Sequence, residues 1–539
     1  MTIKSTENSS FDRDKLRILI IILIILGIFF RFINIDKKIY WRDETYTSLR
    51  MSGYTKAELN RQVFNGKEIR IEDLTKFQHI NSEKSPLDTI KGLATEEPHL
   101  PPLYFLMARF WVQWFGDSIA IIRSLSAILS LFAFPCIYWL CRELFDLPLV
   151  AWMAVGVIAI SPFQVLYAQE ARPYSLWTVT ILLSSAALLR AMRIQTKLSW
   201  IIYAVTVVLG LYTFLLSGLV NIGQGIYVFV VEGCRFTKKF TAYLVVLIVG
   251  YITFTPWILF VISNFSEFNK RTRWTSREVS LFSLFNMWLG NLSRIFFDVG
   301  IGSDDPLSRI IPLSPFILIL LITIGYAILF LYRRGSKREK LFILILIIVC
   351  AIPLVLPDLI LGGRRSGIAR YLLPCYLGIQ LAVAYFLAAK ISFLPFKVWQ
   401  QKLWQVVTIA IFSAGVLSCA IGSQAQVWWN KDASELPAIA GIINQANYSL
   451  VVSDTNPEPI FALSYLLDPK VRLQLLVKPN IPKISQGFSD VFLYKPSDGL
   501  RMKLEKEQSY QSKPMQELGK FQDQLWKLEK QPRFNNSAN

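Results

Sequence analysis

Hydrophobic residues in this chain are gathered into long runs separated by short polar stretches. LRILIIILIILGIFFRF (16–32) is the first such run, and KLFILILIIVCAIPLVLPDLIL (340–361) is among the longest. About 20 consecutive apolar residues carry a helix across roughly 30 Å of hydrocarbon, whereas strands of a membrane barrel would alternate apolar and polar positions. The runs therefore predict about eleven helical spans, at 16–35, 119–140, 148–168, 174–190, 198–215, 217–231, 240–262, 310–332, 341–361, 371–389 and 402–422. The run LPPLYFLMARFWVQWFG (100–116) is short and closed by Phe115-Gly116-Asp117, which leaves a twelfth span or an interfacial helix.

Basic residues decide between these. With 100–116 kept at the outer surface, every inner loop is basic: Arg142; Arg190, Arg193 and Lys197; Arg235, Lys238 and Lys239; RRGSKREK at 333–340; Lys390, Lys397 and Lys402. Full crossing by 100–116 would turn all these clusters outward, against the positive-inside tendency. The expected topology has a cytoplasmic N-terminus and an extracytoplasmic C-terminus, with the first run a retained anchor.

Composition agrees. At 53% hydrophobic and 18% charged residues, the chain is no ordinary water-soluble domain. The net charge of +19 sits in short clusters between apolar runs, which argues against a nucleic-acid partner. The six cysteines show no paired metal-ligand spacing.

Two regions outside the runs are large. The first outer loop, 36–118, holds both histidines, His79 and His99, and is expected to include helices lying along the membrane. Beyond 422, SLVVSD, VRLQLLV and DVFLYKP predict buried strands between amphipathic helices near 434–446, 457–467 and 497–507, with the final FNNSAN frayed. The expected fold is mainly α: a polytopic helical membrane domain, 1–422 including the loop 36–118, followed by a small extracytoplasmic α/β domain, 423–539.

Three polar motifs fall on the outer side of this topology. KKIYWRDETYTS (37–48) places Asp43 and Glu44 beside the first span. Such a pair is either a solvated turn or a carboxylate whose proton affinity is set by burial and neighbouring cations. SPFQVLYAQEARPYSLW (161–177) puts Glu170 and Arg172 in a tight turn bounded by prolines. GGRRSGIARYLLP (362–374) carries Arg364, Arg365 and Arg370, with Tyr371 beside them, against the charge bias of the other loops. Planar guanidiniums there suit a phosphate ester as well as a lipid headgroup.

The ordered set YWRDETYTS, EEPHLPPLYFLMARFW, YAQEARPYSLW and ARYLLP resembles the motifs of the C-type integral-membrane glycosyltransferases. The likeness is to the bacterial branch related to protein mannosyltransferases and the lipid A aminoarabinose transferase, over about residues 15–390. The resemblance implies inverting transfer of a hexosyl or pentosyl group from a polyprenyl-phosphate donor to a lipid, glycan or protein acceptor at the outer face of a bacterial inner membrane. It makes Asp43 the expected base, with Glu44 its neighbour. Arg370 becomes a donor-phosphate ligand, and Glu170, Arg172, Arg364, Arg365 and Tyr371 further substrate contacts. One departure concerns His99: relatives place His or Lys immediately before the Pro-Pro pair, and here Leu100 intervenes. Glu97 and His99 are weak candidates for a divalent metal. A transporter or flippase of lipid-linked saccharides is the alternative; such proteins commonly show related halves and midplane ionisable groups, and no half repeat is visible here.

Overall fold

The computed structural model describes residues 7–302, 305–392 and 398–530, so Lys397 and the terminal FNNSAN lie outside the described residues. The chain forms two compact units. The first comprises residues up to Lys37, Leu93–Met107 and Ser118–Ala425; the second comprises Lys38–Gly92, Ala108–Asp117 and Gln426 onward.

The first unit is helical, and each expected span falls on a helix or on two consecutive helices. Among the described residues seven helices are long and apolar enough to cross a membrane, and the bent pair Pro148–Ala159 and Pro162–Ala168 makes an eighth if counted as one span. The helices Lys197–Thr213 and Ser217–Val231 are apolar but shorter, and Glu7–Phe32 carries the first run. The helix Leu103–Phe115 has 13 residues, about 20 Å, too short to cross hydrocarbon. Tyr174–Ile194 and Ala369–Ile391 are buried among their neighbours, whereas Lys238–Ser263 and Ser308–Arg334 leave most of their apolar surface facing outward, as lipid-exposed helices do.

The bent pair turns by 58°. A break in an apolar span frees backbone groups that hydrocarbon cannot satisfy, so the protein must. Arg31, fully buried, donates Nη2 to the Ile158 carbonyl (3.1 Å) and Nη1 to that of Ala159 (2.6 Å), while Nε reaches Ser130 Oγ at 3.0 Å. Gly27 allows the approach: a Cβ there would lie 2.5 Å from the Ala159 oxygen. Ser161 Oγ donates to Ile295 O at 2.6 Å, and Pro162, having no N–H to lose, opens the second helix.

The second unit is α/β. Six strands run in the order β1-β3-β2-β4-β6-β5: β1 Asn65–Arg70, β2 Ser449–Ser453, β3 Arg472–Leu476, β4 Asp490–Tyr494, β5 Tyr510–Pro514 and β6 Leu525–Lys530. β2 is parallel to both β3 and β4; the outer pairings are antiparallel. β2 to β4 are the three strands expected from sequence. The helices Leu436–Gln445, Pro457–Ser464 and Asp498–Gln508 lie where amphipathic helices were expected.

This division differs from the predicted 1–422 and 423–539, which gave the whole loop 36–118 to the membrane domain. Most of that loop belongs to the second unit for two physical reasons. β1 adds antiparallel to β3, pairing Ile69 with Leu473 and Arg70 with Arg472. Trp41, Leu49, Leu59, Leu74 and Phe77 bury in one core with Leu436, Ile439, Val451 and Phe461.

Candidate active site

In the first unit, the turn 169–173 follows directly from the bent pair. Gln169 Nε2 donates to the carbonyls of Phe30 (2.9 Å) and Ile33 (3.0 Å), fixing the turn to the end of the first long helix. The Arg172 N–H closes on the Glu170 carbonyl at 2.8 Å, and the Arg172 carbonyl accepts from Ser126 Oγ at 3.3 Å. Glu170 and Arg172 are both buried.

The arginine loop leaves the helix Lys337–Leu361 through Gly362 and Gly363, both at positive φ (72° and 135°), a backbone that glycine adopts without strain. A Cβ on Gly363 would also sit 2.6 Å from Asp358 Oδ1. Asp358, buried at the end of that helix, organises the loop: it accepts from Arg365 Nη1 (2.9 Å), Ser366 N–H (2.7 Å) and Ser366 Oγ (2.7 Å). Arg365 also reaches Gly362 O (3.1 Å) and Ser276 Oγ (2.5 Å), so its guanidinium is committed to holding the loop. The Arg364 N–H bonds Thr275 O at 2.9 Å, while Asn291 Nδ2 and Trp288 Nε1 tie Gly367 O and Ser366 Oγ from the helix Leu281–Ser293.

Arg370 is differently placed. Its guanidinium carbon lies 5.7 Å from the ring centroid of Trp274, 5.7 Å from that of Tyr371 and 5.9 Å from that of Tyr174. Arg172 is 5.9 Å from the same Tyr174 ring, and Arg364 is 5.9 Å from the same Trp274 ring. Tyr167, whose ring is 5.1 Å from Tyr174, is within electrostatic reach of both Glu170 and Arg370. The structure thus brings Glu170, Arg172, Arg364, Arg370 and Tyr371 into one aromatic-lined cationic cluster, while Arg365 braces it. Aromatic faces stabilise guanidinium charge without using its N–H donors.

Trp274 was not among the residues expected from sequence. It lies in the last turn of an amphipathic segment, Phe265–Ser276, that also carries Lys270, Arg271 and Arg273; basic residues interleaved with aromatics were the available signal. Arg271 was missed too. It pairs with Glu97 (3.2 Å) and donates to Glu96 O (3.2 Å), and His99 Nδ1 lies 3.6 Å from Glu97. Among the described residues no three His, Cys, Asp or Glu groups converge as metal ligands. Glu97 and His99 thus lie side by side, with the Arg271 guanidinium on the same carboxylate.

In the second unit, the helix Arg42–Ser52 carries the acidic pair in its first turn, where the helix dipole favours negative charge. The structure treats the two carboxylates unequally. Glu44 is fully buried and paired with Lys431 Nζ at 2.9 Å, itself fully buried. The Asp43 side chain keeps 18% exposure, with Arg42 Nε at 3.9 Å. Lys431 is the third contact that sequence reasoning missed.

Residues 99–260 match the family model described as dolichyl-phosphate-mannose-protein mannosyltransferase. Comparison of the sequence with curated proteins gives no match. Among solved structures, the chain is similar to ArnT from Cupriavidus metallidurans bound to undecaprenyl phosphate, with 12% identity, a TM-score of 0.56, and coverage of 95% of this chain and 98% of that one. ArnT in the apo state matches at 12% identity and TM-score 0.47, over 77% and 85% of the two chains. The Archaeoglobus fulgidus oligosaccharyltransferase in the apo form matches at 12% and 0.44, over 81% and 65%. The chain thus shares the fold of ArnT along nearly its whole length, its residues 99–260 carry the pattern of the mannosyltransferase family model, and its long apolar helices make it a multi-pass membrane protein.

Proposed function

We propose that the chain transfers a sugar, with inversion, from a polyprenyl-phosphate donor to a hydroxyl acceptor at the extracytoplasmic face of a bacterial inner membrane. The observation that carries this reading is the Arg370 guanidinium ringed by Tyr174, Trp274 and Tyr371, with Arg172 and Arg364 on the same rings. Guanidiniums gathered over shared aromatic rings concentrate positive charge of the planar kind that suits a phosphate ester. ArnT, solved with undecaprenyl phosphate, supports a lipid-phosphate ligand for this fold.

In the proposed reaction an acceptor hydroxyl attacks the anomeric carbon from the face opposite the phosphate. Asp43 takes the hydroxyl proton as the new C–O bond forms. The bond from the anomeric carbon to the phosphate oxygen breaks, and its electron pair leaves with the polyprenyl phosphate. Arg370 stabilises the charge that develops there. Phosphate is a good leaving group without a proton, so one carboxylate suffices where glycoside hydrolysis uses two. The test is transfer by purified protein from a synthetic polyprenyl-phosphate sugar, paired with mass spectrometry of envelope glycans after deletion. Glycans unchanged by deletion together with no transfer from any such donor would overturn the reading.

A further inference from the structure

The acidic motif is gripped on both sides by two consecutive residues from beyond the last long helix. Lys431 Nζ binds Glu44 at 2.9 Å, donates to Ile39 O at 3.3 Å and lies 5.7 Å from the Trp41 ring centroid. Asp432, the next residue, lies 3.5 Å from Arg42 Nη1. Arg42 and Glu44 flank Asp43 in sequence, so the Lys431-Asp432 pair holds the residue before it and the residue after it. The same two strands of chain are joined by backbone, Ile39 N–H to Gln426 O at 3.0 Å.

The two halves of this clamp are unequal. Arg42 and Asp432 have side-chain exposures of 43% and 76%, and an exposed pair contributes little. Lys431 and Glu44 are both fully buried, where loss of one partner strands the other charge. Successive helix positions diverge by about 100°, so turning Glu44 inward onto Lys431 directs Asp43 along another bearing. A second carboxylate adjacent to Asp43 would otherwise oppose its ionised form, since like charges in a poorly solvated site disfavour one another.

Building on the transfer reaction proposed above, we infer that Lys431 is a positioning residue for that reaction: through Glu44 it neutralises the neighbouring charge and sets the bearing of Asp43. The segment after the membrane helices is then part of the reaction's machinery and not an appended module. Charged groups at this turn include Arg42, Asp43, Glu44, Lys431 and Asp432.

The experiment uses the purified full-length protein and a synthetic polyprenyl-phosphate sugar. It measures donor affinity, single-turnover transfer at saturating donor across pH, and thermal midpoint. Lys431→Met is expected to keep donor affinity and lose about 10- to 100-fold in transfer, the scale of a misdirected reacting group. Its acid limb should move to higher pH, because the two adjacent carboxyls, no longer neutralised by the ammonium, oppose each other's ionisation. Lys431→Arg should restore most of the rate. The double variant Lys431→Met with Glu44→Gln removes the stranded charge; it should recover the thermal midpoint and the wild-type acid limb, but not the full rate. A wild-type rate and unmoved acid limb in folded Lys431→Met would overturn the inference. Complete repair of the rate by the double variant would also overturn it, leaving the pair a stability element. Absence of transfer by the wild-type chain would instead strike the proposed function, and the role of Lys431 with it.

Discussion

Arg31 and Ala159, 128 positions apart, meet through a guanidinium-to-carbonyl bond of 2.6 Å at the break of a bent span. An arginine in the apolar run of the first helix is costly unless its donors are used, and here they cap a helix end that hydrocarbon would leave bare. Its 4.9 Å approach to the Phe134 ring adds a face for the charge. Gln169, just beyond the second half of the bend, returns to the same helix end as Arg31. The bend and the Glu170-Arg172 turn are therefore set by one contact region.

Arg31→Met should consequently destabilise the protein by about 3 kcal/mol or more, because at least two buried carbonyls lose their donor. Thermal unfolding in detergent measures this. Arg31→Lys should recover little, since one ammonium cannot span the Ile158 and Ala159 carbonyls and Ser130 together. A midpoint for Arg31→Met equal to wild type would show that the carbonyls find other donors.

Arg370 and Arg365 lie five positions apart and should respond to substitution in opposite ways. Arg370→Ala removes a guanidinium held on three rings, and donor affinity should fall about 10- to 100-fold, the value of one or two charge-assisted bonds, with a near-normal thermal midpoint. Arg370→Lys should recover part of it. Arg365→Ala strands the buried Asp358 carboxylate, so its main effect should be on stability, several kcal/mol, with donor binding reduced only as far as the loop is lost. Asp358→Asn combined with Arg365→Met should soften that loss. Equal donor-binding defects in folded Arg370→Ala and Arg365→Ala protein would erase the distinction.

How much of this was readable in sequence follows from which contacts are local. β2 announced itself because burial on both faces demands an unbroken apolar run, and the long helices because contact with protein or lipid all round demands the same. β1, NGKEIR, did not: it is a half-exposed edge strand whose partner lies some 400 positions away, and its residues carry no apolar alternation. The arginine loop was legible as a cluster against the charge bias, but not the division of labour within it. Asp358 looks, in sequence, like one more residue between Pro357 and Leu359 at the end of a hydrophobic run. Lys431 was equally hidden, since its meaning depends on Glu44, 387 positions earlier.

Glu458 supplies a pH dependence. Burial raises its carboxyl to about 7, against the opposing influence of its own backbone N–H and of Arg42, while Lys56 Nζ lies 3.5 Å away and the Tyr46 hydroxyl donates to it. A carboxyl whose folded value exceeds its unfolded one binds more protons folded than unfolded. Its contribution is thus fully present below the unfolded value of 4.5 and is lost as pH rises through about 7. The size is on the order of 3 kcal/mol. Glu458→Gln should flatten the dependence between pH 5 and 8 and raise the thermal midpoint at pH 8 relative to wild type. A wild-type midpoint as high at pH 8 as at pH 5, with no gain in the Gln variant, would contradict it.

Sidedness is testable directly. Reporters fused after Gly335, within the RRGSKREK cluster, should be cytoplasmic, and those near Asp432 should be extracytoplasmic. A cytoplasmic Asp432 would put the acidic helix, which shares a compact unit with it, on the wrong side for a lipid-linked sugar presented outside.

Asp43→Asn tests the chemistry itself. The change preserves volume and leaves an acceptor oxygen toward Arg42, and the Glu44–Lys431 pair next to it stays intact, so the first turn of its helix should hold. What disappears is a carboxylate able to take a proton. General-base assistance contributes about 10²- to 10⁴-fold, so single-turnover transfer should fall by that range while donor affinity and thermal midpoint stay near wild type. Glu44→Gln should behave otherwise: it leaves the Lys431 ammonium buried without its counter-charge, and the loss should appear first in stability. If folded, donor-saturated Asp43→Asn transfers sugar at the wild-type rate, the proton is taken elsewhere, and the more exposed of the two carboxylates marks only the start of a helix.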